Sequence, residues 1–438
     1  MTLAGAAPPV GRAELVLLAA LLFVLPLLEV PKHLLWAAWV VVTLMQLARA
    51  RGAGAVSPSS GWDAVFLAIL VVAALAGTGV PGQVWRADEL GDVLRMVSVP
   101  WLMMRRGYTM PQALRLLQAA LAGALLATAH GVAALLAART PLLELHSVGH
   151  VNHSAIYLAI IAGVALGLLV AATSLRQRLA AALAVLVAGV ALLVGASRAA
   201  VGAFALVVLL LGWLAPVPAP AGLVTLWRRR FRLTLLGFAL LAVLAYLGAM
   251  SLGARQLQPG GQSLVSKFGY QTSVGAPISY RDGLHRLAFA AAGAYPLAGI
   301  GLDRFRTLDA QRLCTELAPP PPGQRCDPDR YIFREHAHSL YANTVAEQGA
   351  VGLIALLALL AGWAWRLVRT LAWARASAPA AAVWIGAFSG LVVTAAAGLL
   401  NTTLHHEHGL LAMSLLGLLL AASPPAAAAG TLSRPASP

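Results

Sequence analysis

Charge is scarce in this sequence. Of its 438 residues, 11% are Asp, Glu, Lys or Arg and 60% are hydrophobic. A soluble globular chain has roughly 25% charged residues and about half apolar ones. A water-soluble protein of this length would have too little polar surface to cover itself, so the composition predicts a protein dissolved in a lipid bilayer.

Lysine and cysteine are nearly absent. Lys32 and Lys267 are the only lysines, so arginine supplies almost all of the net charge of +15. A strongly basic chain is often one that binds nucleic acid, but here the arginines alternate with long apolar runs and we expect no nucleic-acid partner. The only cysteines are Cys314 and Cys326, both in one long polar stretch.

The sequence also shows no motif of a removable signal peptide, of a zinc-binding helix or of tandem repeats. Only Arg12 precedes the first apolar run and no small-residue cleavage site is followed by a soluble domain, so we expect that run to be the first span. No H-E-x-x-H helix is present. His336 with His338, and residues 405–408, are the remaining candidates for metal ligands. We expect no catalytic metal and no cofactor.

Apolar runs predict an all-α polytopic membrane protein. A hydrocarbon core of about 30 Å requires about 20 mostly apolar residues per helix. The predicted spans, about twelve, lie near 14–29, 33–48, 62–79, 89–104, 112–137, 153–173, 178–195, 198–216, 232–250, 340–365, 379–401 and 407–422. The predicted organisation is transmembrane helices 1–9 over residues 1–250, a long polar loop with amphipathic helices over 251–339, helices 10–12 over 340–422 and a disordered tail over 423–438.

Arginine placement predicts the orientation, because short cytoplasmic loops carry the excess of Lys and Arg. With the N-terminus inside, the cytoplasmic segments hold sixteen basic residues and the short external loops hold four. Both termini are therefore expected in the cytoplasm, and residues 251–339 outside. An oxidising compartment there would permit a disulfide between Cys314 and Cys326, two unpaired thiols being the alternative.

Two arginines open helices at the external face. Ser197 is placed as the N-cap before Arg198, and Arg281 lies in the first turn of a predicted amphipathic helix. A cation at a helix N-terminus opposes the helix dipole, so an arginine there suits a bound anion such as a phosphate. Lys267 and Arg286 are secondary candidates for the same task. Snorkelling to the interface, or a solvated basic face, is the alternative explanation.

His338 lies where the long loop meets the tenth predicted span. Asn343 and Glu347 follow it on one helical face. A histidine with a pKa of about 6.5 is able to act as a general base at neutral pH, which makes His338 the candidate catalytic residue. A histidine that only tolerates the membrane border is the alternative.

The order and spacing of these motifs resemble the bacterial O-antigen ligase and polymerase superfamily. The resemblance covers nearly the whole chain, including twelve spans and one large loop between helices 9 and 10. The motifs that carry it are Gly149-His150-Val151-Asn152-His153, Ser197-Arg198, Arg281 before the loop helix, Tyr295-Pro296-Leu297-Ala298-Gly299-Ile300-Gly301-Leu302 with Phe305, His338-Ser339-Leu340-Tyr341, and Glu347-Gln348-Gly349 with Gly352.

The resemblance implies an O-antigen ligase of lipopolysaccharide biosynthesis, in a Gram-negative cell inner membrane with its active site facing the periplasm. Its donor would be O-antigen linked to undecaprenyl diphosphate, and its acceptor the lipid A–core oligosaccharide. Such a transferase inverts the anomeric centre without a metal. His338 would be the general base, Arg198 and Arg281 would bind the diphosphate, and Asn152 and His336 are further candidates.

One position departs from the family pattern, since Ser339 follows the histidine where relatives commonly have Asn. Three alternatives accompany the ligase: an O-antigen polymerase, a protein O-oligosaccharyltransferase and a transporter of lipid-linked glycans. Transporters usually place ionisable residues near the membrane midplane. Here the candidate polar residues gather at one face, which favours an enzyme.

Overall fold

The computed structural model describes residues 7–52, 60–80, 87–137, 143–220, 222–251 and 281–424. Within these ranges the regular structure is helical, and only two isolated β-bridges occur. The long helices are α1 (Arg12–Val24), α2 (Glu29–Gly52), α3 (Gly61–Leu75), α4 (Ala87–Met103), α5 (Met110–Leu136), α6 (Val151–Ala171), α7 (Leu175–Val194), α8 (Arg198–Leu214), α9 (Val224–Ser251), α10 (Arg281–Ala294), α11 (Leu340–Ala376), α12 (Ala378–Ala397) and α13 (His406–Ala422).

All of these helices except α10 lie at predicted spans, but some boundaries differ. Helix α1 ends at Val24, because Pro26 follows shortly after and has no backbone N–H to continue the helical hydrogen bonds. Helix α11 continues past the apolar run to Ala376, since the Leu, Ala and Arg residues there are good helix formers. Helix α12 stops at Ala397, where Gly398 forms the C-cap.

Six helices of the described chain are long and apolar enough to cross a membrane: α2, α5, α6, α7, α11 and α12. Helices α3, α8 and α13 are apolar but shorter. Large hydrophobic side chains face outward along the bundle, among them Leu34, Leu209, Trp213 and Ile354, as expected where lipid replaces water. The helices therefore support a polytopic membrane protein. The number of twelve spans stays a prediction.

Helices α6 and α12 form the centre of the bundle. Both are hydrophobic on all sides, and most of their side chains are buried, which is typical of helices surrounded by other helices. Trp384 of α12 donates its indole N–H to the backbone carbonyl of Leu367 in α11, over 2.9 Å. Helix α13 is likewise buried from Glu407 to Leu419, and α5, α7, α8 and α11 pack on α6 or α12.

Charged side chains gather at the two ends of the bundle. At one, which we call the basic end, Arg106 pairs with Glu14, both being almost fully buried, and Arg105 pairs with Asp63. Arg366 donates there to the backbone oxygens of Ser423 and Pro424. These arginines were predicted to be cytoplasmic, and that topology stays a prediction. Ser423 is buried, so the predicted tail contacts the bundle at its start; residues after Pro424 lie outside the described ranges.

The described part of the long loop folds on a small hydrophobic core of its own. Helix α10 contributes Leu284, Leu287, Ala288 and Ala291, the apolar positions that its periodicity predicts. Ile300, Phe305, Leu308, Leu313, Leu317 and the start of α11 complete this core. Cys314 and Cys326 are joined by a disulfide, with Cα atoms 5.7 Å apart. The segment 281–339 is therefore a structured cap on one end of the bundle.

Candidate functional site

A cavity of about 1250 Å³ lies beneath this cap, at the end of the bundle opposite the basic end. We call this the histidine end. The cavity is bounded by the first turns of α2, α4, α6 and α13, by the outer half of α11, and by loop residues 302–308 and 333–338. Small-molecule sites usually enclose roughly 300–1,000 Å³. The cavity is thus large enough for a ligand bigger than a typical metabolite.

His338 lines the cavity and is held in an unusual backbone conformation. Its φ of +50° is uncommon for a residue with a side chain. Directly after it, Ser339 caps α11 by accepting a hydrogen bond from the backbone of Ala342. The next N–H group, that of Leu340, donates to the carbonyls of Gly398 and Asn401. The turn before α11 is thus fixed against the turn before α13, and His338 is held at the cavity wall.

Electrostatics around His338 favour its neutral form. Burial, followed by the charges of His336 and Arg281, lowers the pKa of His338 to about 3. At neutral pH its imidazole is therefore unprotonated and able to accept a proton. Arg281 lies close enough to influence this pKa, although it is not among the described residues that line the cavity.

The other predicted site residues separate into two groups. Asn152 and His336 line the cavity with His338. Arg198 opens α8, as predicted, but neither it nor Arg286 is among the described lining residues. Helix α8 packs on α6 and α12, and the prediction that Arg198 faces this cavity stays a prediction. Lys267 lies outside the described residues.

Seven of the eleven histidines meet at the histidine end. They come from three places in the sequence: His150 and His153, His336 and His338, and His405, His406 and His408. His153 lies between the other groups, with ring-centroid distances of 6.4 Å to His336 and 5.0 Å to His408. Burial lowers the pKa of His336 and lowers that of His405 to about 4. His336 and His405 are thus uncharged at neutral pH.

Histidine side chains are common metal ligands. Within the described ranges, no group of three His, Cys, Asp or Glu side chains is arranged to hold a metal ion. The expectation that the protein works without a metal stays a prediction. What the histidines supply in this arrangement is a set of neutral donors and acceptors around the cavity.

A buried lysine under the cavity was not predicted to belong to the site. Lys32, at the start of α2, forms ion pairs with Glu407 and Glu29, and its ammonium group lies 3.1 Å from the Ser147 hydroxyl. A buried charge is tolerated only when it is paired and hydrogen-bonded. Lys32 was recognisable as unusual in the sequence, because it is one of only two lysines and opens an apolar run. Its partner Glu407 is 375 residues away and was not identifiable.

Two carboxylates and an arginine form another part of the cavity wall. Arg306 lies between Asp303 and Glu89, and all three line the cavity. Ionised carboxylates accept hydrogen bonds, whereas guanidinium groups donate them. This wall is therefore suited to sugar hydroxyls, which do both. An anionic group is better accommodated on the side where Arg281 and Arg334 approach His338.

The motif Tyr295-Leu302 wraps around a break in α11. Gly349 has φ +66° and ψ −166°, which interrupts the helix. The freed backbone groups pair with the loop: Ala350 N–H donates to Pro296 C=O, and Ile300 N–H donates to Ala346 C=O. A Cβ on Gly349 would collide with the backbone carbonyl of Leu297. The motif is therefore a structural interlock that joins the cap to the helix following His338.

No protein-family model matches this chain, and no curated protein matches it either. The resemblance to the O-antigen ligase and polymerase superfamily thus rests on the motifs alone.

Proposed function

We propose that this chain is a membrane-embedded glycosyltransferase that moves a glycan from a polyprenyl diphosphate to a sugar hydroxyl. Within that class we propose the O-antigen ligase reaction: undecaprenyl-diphosphate-linked O-antigen is the donor and lipid A–core oligosaccharide is the acceptor. The observation that carries the proposal is the placement of His338. It lines a large cavity with both polar and apolar walls at one end of an apolar helical bundle, with Arg281 nearby.

The chemistry follows from what each group provides. The acceptor hydroxyl attacks the anomeric carbon and forms the new glycosidic bond, while the bond from that carbon to the diphosphate oxygen breaks. The bonding electrons leave with the diphosphate, and Arg281 stabilises its charge. The hydroxyl proton passes to the neutral imidazole of His338. Attack from the side opposite the leaving group inverts the anomeric centre.

The location of the site fits two lipid substrates. The cavity lies at the predicted periplasmic end of the bundle, beside exposed apolar helix faces that would contact the bilayer. Both substrates carry their sugars on a lipid anchor, so their head groups would reach the cavity from the membrane surface. In this proposal Arg198 contributes to diphosphate binding, a role that rests on the family resemblance. The proposed compartment is the Gram-negative inner membrane.

The test is transfer by the purified protein in lipid nanodiscs. With an undecaprenyl-diphosphate-linked glycan and lipid A–core, we expect a glycan-bearing lipid A–core product, formed equally well with a chelator present. Elongation of the donor without transfer to lipid A–core would instead identify a polymerase. Transfer to a protein hydroxyl would identify an oligosaccharyltransferase, and movement of intact donor across the bilayer would identify a transporter.

The lowered pKa of His338 predicts the pH dependence of transfer. Because burial and nearby cations hold this pKa at about 3, the imidazole stays unprotonated as the pH falls through the ordinary histidine range. We expect kcat/KM to retain its value between pH 7 and about pH 5, without an acid limb near the ordinary histidine pKa of about 6.5. Arg281→Ala removes one of the charges that lower the pKa, so it would move any acid limb toward higher pH. An acid limb centred at the ordinary histidine pKa in the wild type would contradict this prediction.

A further inference from the structure

Two polar side chains of α11, which line the cavity together with His338, form a continuous hydrogen-bonded chain. The N–H of Ala337 donates to Oδ1 of Asn343 over 3.0 Å. Nδ2 of Asn343 donates to Oε2 of Glu347 over 3.0 Å. Oε1 of Glu347 accepts from the N–H of Phe305 over 3.1 Å. The chain therefore links the residue before His338 to the loop that forms the opposite edge of the cap.

This chain is buried at both ends. Ala337 and Phe305 are 0% exposed, and Glu347 is 7% exposed. A buried polar group that loses its partner leaves the other group unsatisfied, which destabilises that local arrangement. The hydrogen bond to Asn343 therefore holds the backbone of Ala337 in one position.

His338 is the residue that this restraint acts on. It follows Ala337 directly and has a φ of +50°, which a residue with a side chain adopts only when its surroundings hold it there. On its other side, Ser339 donates its hydroxyl to the carbonyl of Gly398. The backbone of His338 is therefore held from both directions, by the Asn343–Glu347 chain before it and by the α11 N-cap after it.

We infer that Asn343 and Glu347 are positioning residues for His338: their hydrogen bonds set the backbone conformation that aims its imidazole into the cavity. The inference rests on the proposed function, because it assigns His338 the role of base. A misplacement of about 1 Å at a reacting group is able to lower a rate about 100-fold, so the restraint has a large expected effect. Since both carboxylate oxygens of Glu347 accept hydrogen bonds in this arrangement, its role is geometric.

Exchanging the amide and the carboxylate between positions 343 and 347 tests the inference. In Asn343→Asp two carboxylates face each other, and in Glu347→Gln one acceptor of the chain is lost. The double variant Asn343→Asp/Glu347→Gln retains all three hydrogen bonds of the chain. In the central one the donor is now at position 347 and the acceptor at position 343. Its carboxylate at position 343 accepts from the Ala337 N–H and from the new amide at position 347. The oxygen of that amide accepts from the Phe305 N–H.

We expect kcat to fall about 10- to 100-fold in each single variant, with KM for the donor unchanged, because the imidazole is displaced while the diphosphate site is intact. We expect kcat to recover in the double variant, since residues within one hydrogen-bonded network are not additive in their effects. The measurement is glycan transfer to lipid A–core by each variant in nanodiscs.

Hydrogen–deuterium exchange of residues 334–342, measured by mass spectrometry, provides a readout that does not depend on activity. We expect faster exchange at the Ala337 amide in both single variants and the wild-type rate in the double variant. The matched control is Glu316→Gln, which removes a carboxylate paired with Arg312 and Tyr295 elsewhere in the cap. We expect it to leave kcat unchanged.

The outcomes separate the inference from the proposed function. Full kcat in the single variants would overturn the positioning role. A double variant that folds but does not recover kcat would also overturn it, and would indicate that Glu347 takes part in proton transfer. A double variant that fails to fold would show that the chain of bonds is not as described. If the wild type transfers no glycan, the proposed function fails, and the exchange rates alone decide whether Asn343 and Glu347 hold Ala337.

Discussion

Replacing His338 by alanine is expected to lower glycan transfer by about 100- to 10,000-fold, the contribution expected of the proposed general base. The physical reason is that no other side chain among the described residues occupies the position from which His338 would take the acceptor proton. His336 is adjacent, with ring centroids 4.2 Å apart, but its ring stands at 72° to that of His338 and starts from a different backbone position. The measurement is kcat for transfer to lipid A–core in nanodiscs. We expect the KM for the donor to change little, because Arg281 remains.

The matched control for this substitution is His146→Ala. His146 is an exposed histidine near the same end of the bundle, in ring contact with His130, and it is not among the described residues that line the cavity. Its loss is expected to leave kcat unchanged. If His338→Ala protein kept the wild-type kcat, the assignment of the base would be wrong and His336 would become the next candidate.

Gly349→Ala is expected to lower the free energy of unfolding by roughly 2–6 kcal/mol, the largest effect on stability that we predict. With φ +66° and ψ −166°, this position lies in a region of backbone space that is essentially restricted to glycine. The added Cβ would also collide with the carbonyl of Leu297, which is backbone and has no room to move aside. The interlock between the cap and α11 would have to open.

Thermal unfolding of the purified protein in detergent measures this effect. Gly202→Ala is the matched control, because Gly202 is a helical residue of α8 where an added Cβ meets nothing within 4 Å. We expect it to leave the unfolding temperature unchanged or to raise it slightly. An equal unfolding temperature for Gly349→Ala and Gly202→Ala would show that the break in α11 is not required for the fold.

The positions of the helices were predictable because the signal for them is local. Each run of about 20 apolar residues specifies a helix without information from elsewhere in the chain. The amphipathic helix α10 was predicted in the same way, from the spacing of Leu284, Leu287, Ala288 and Ala291. Boundaries were less certain, as at Ala376, because helix propensity continues after hydrophobicity ends.

The composition of the site was predictable only in part. His338, His336 and Asn152 were selected from their places at loop–helix junctions, and all three line the cavity. Arg198 was selected because it opens a helix at the predicted external face and matches a family motif, and its place in the site stays a prediction. Which direction a helix N-terminus faces depends on its neighbours in the bundle, and sequence periodicity carries no information about that.

By itself, the sequence determined that the chain is helical and suited to a membrane, because hydrophobic burial acts on short segments; the orientation that the arginines indicate stays a prediction. Only the tertiary structure decided what meets in the cavity. It pairs Lys32 with Glu407, brings two separate histidine groups around His153, and connects Ala337 to Phe305 through Asn343 and Glu347. These contacts join residues far apart in the chain, and they exist only once the helices have packed.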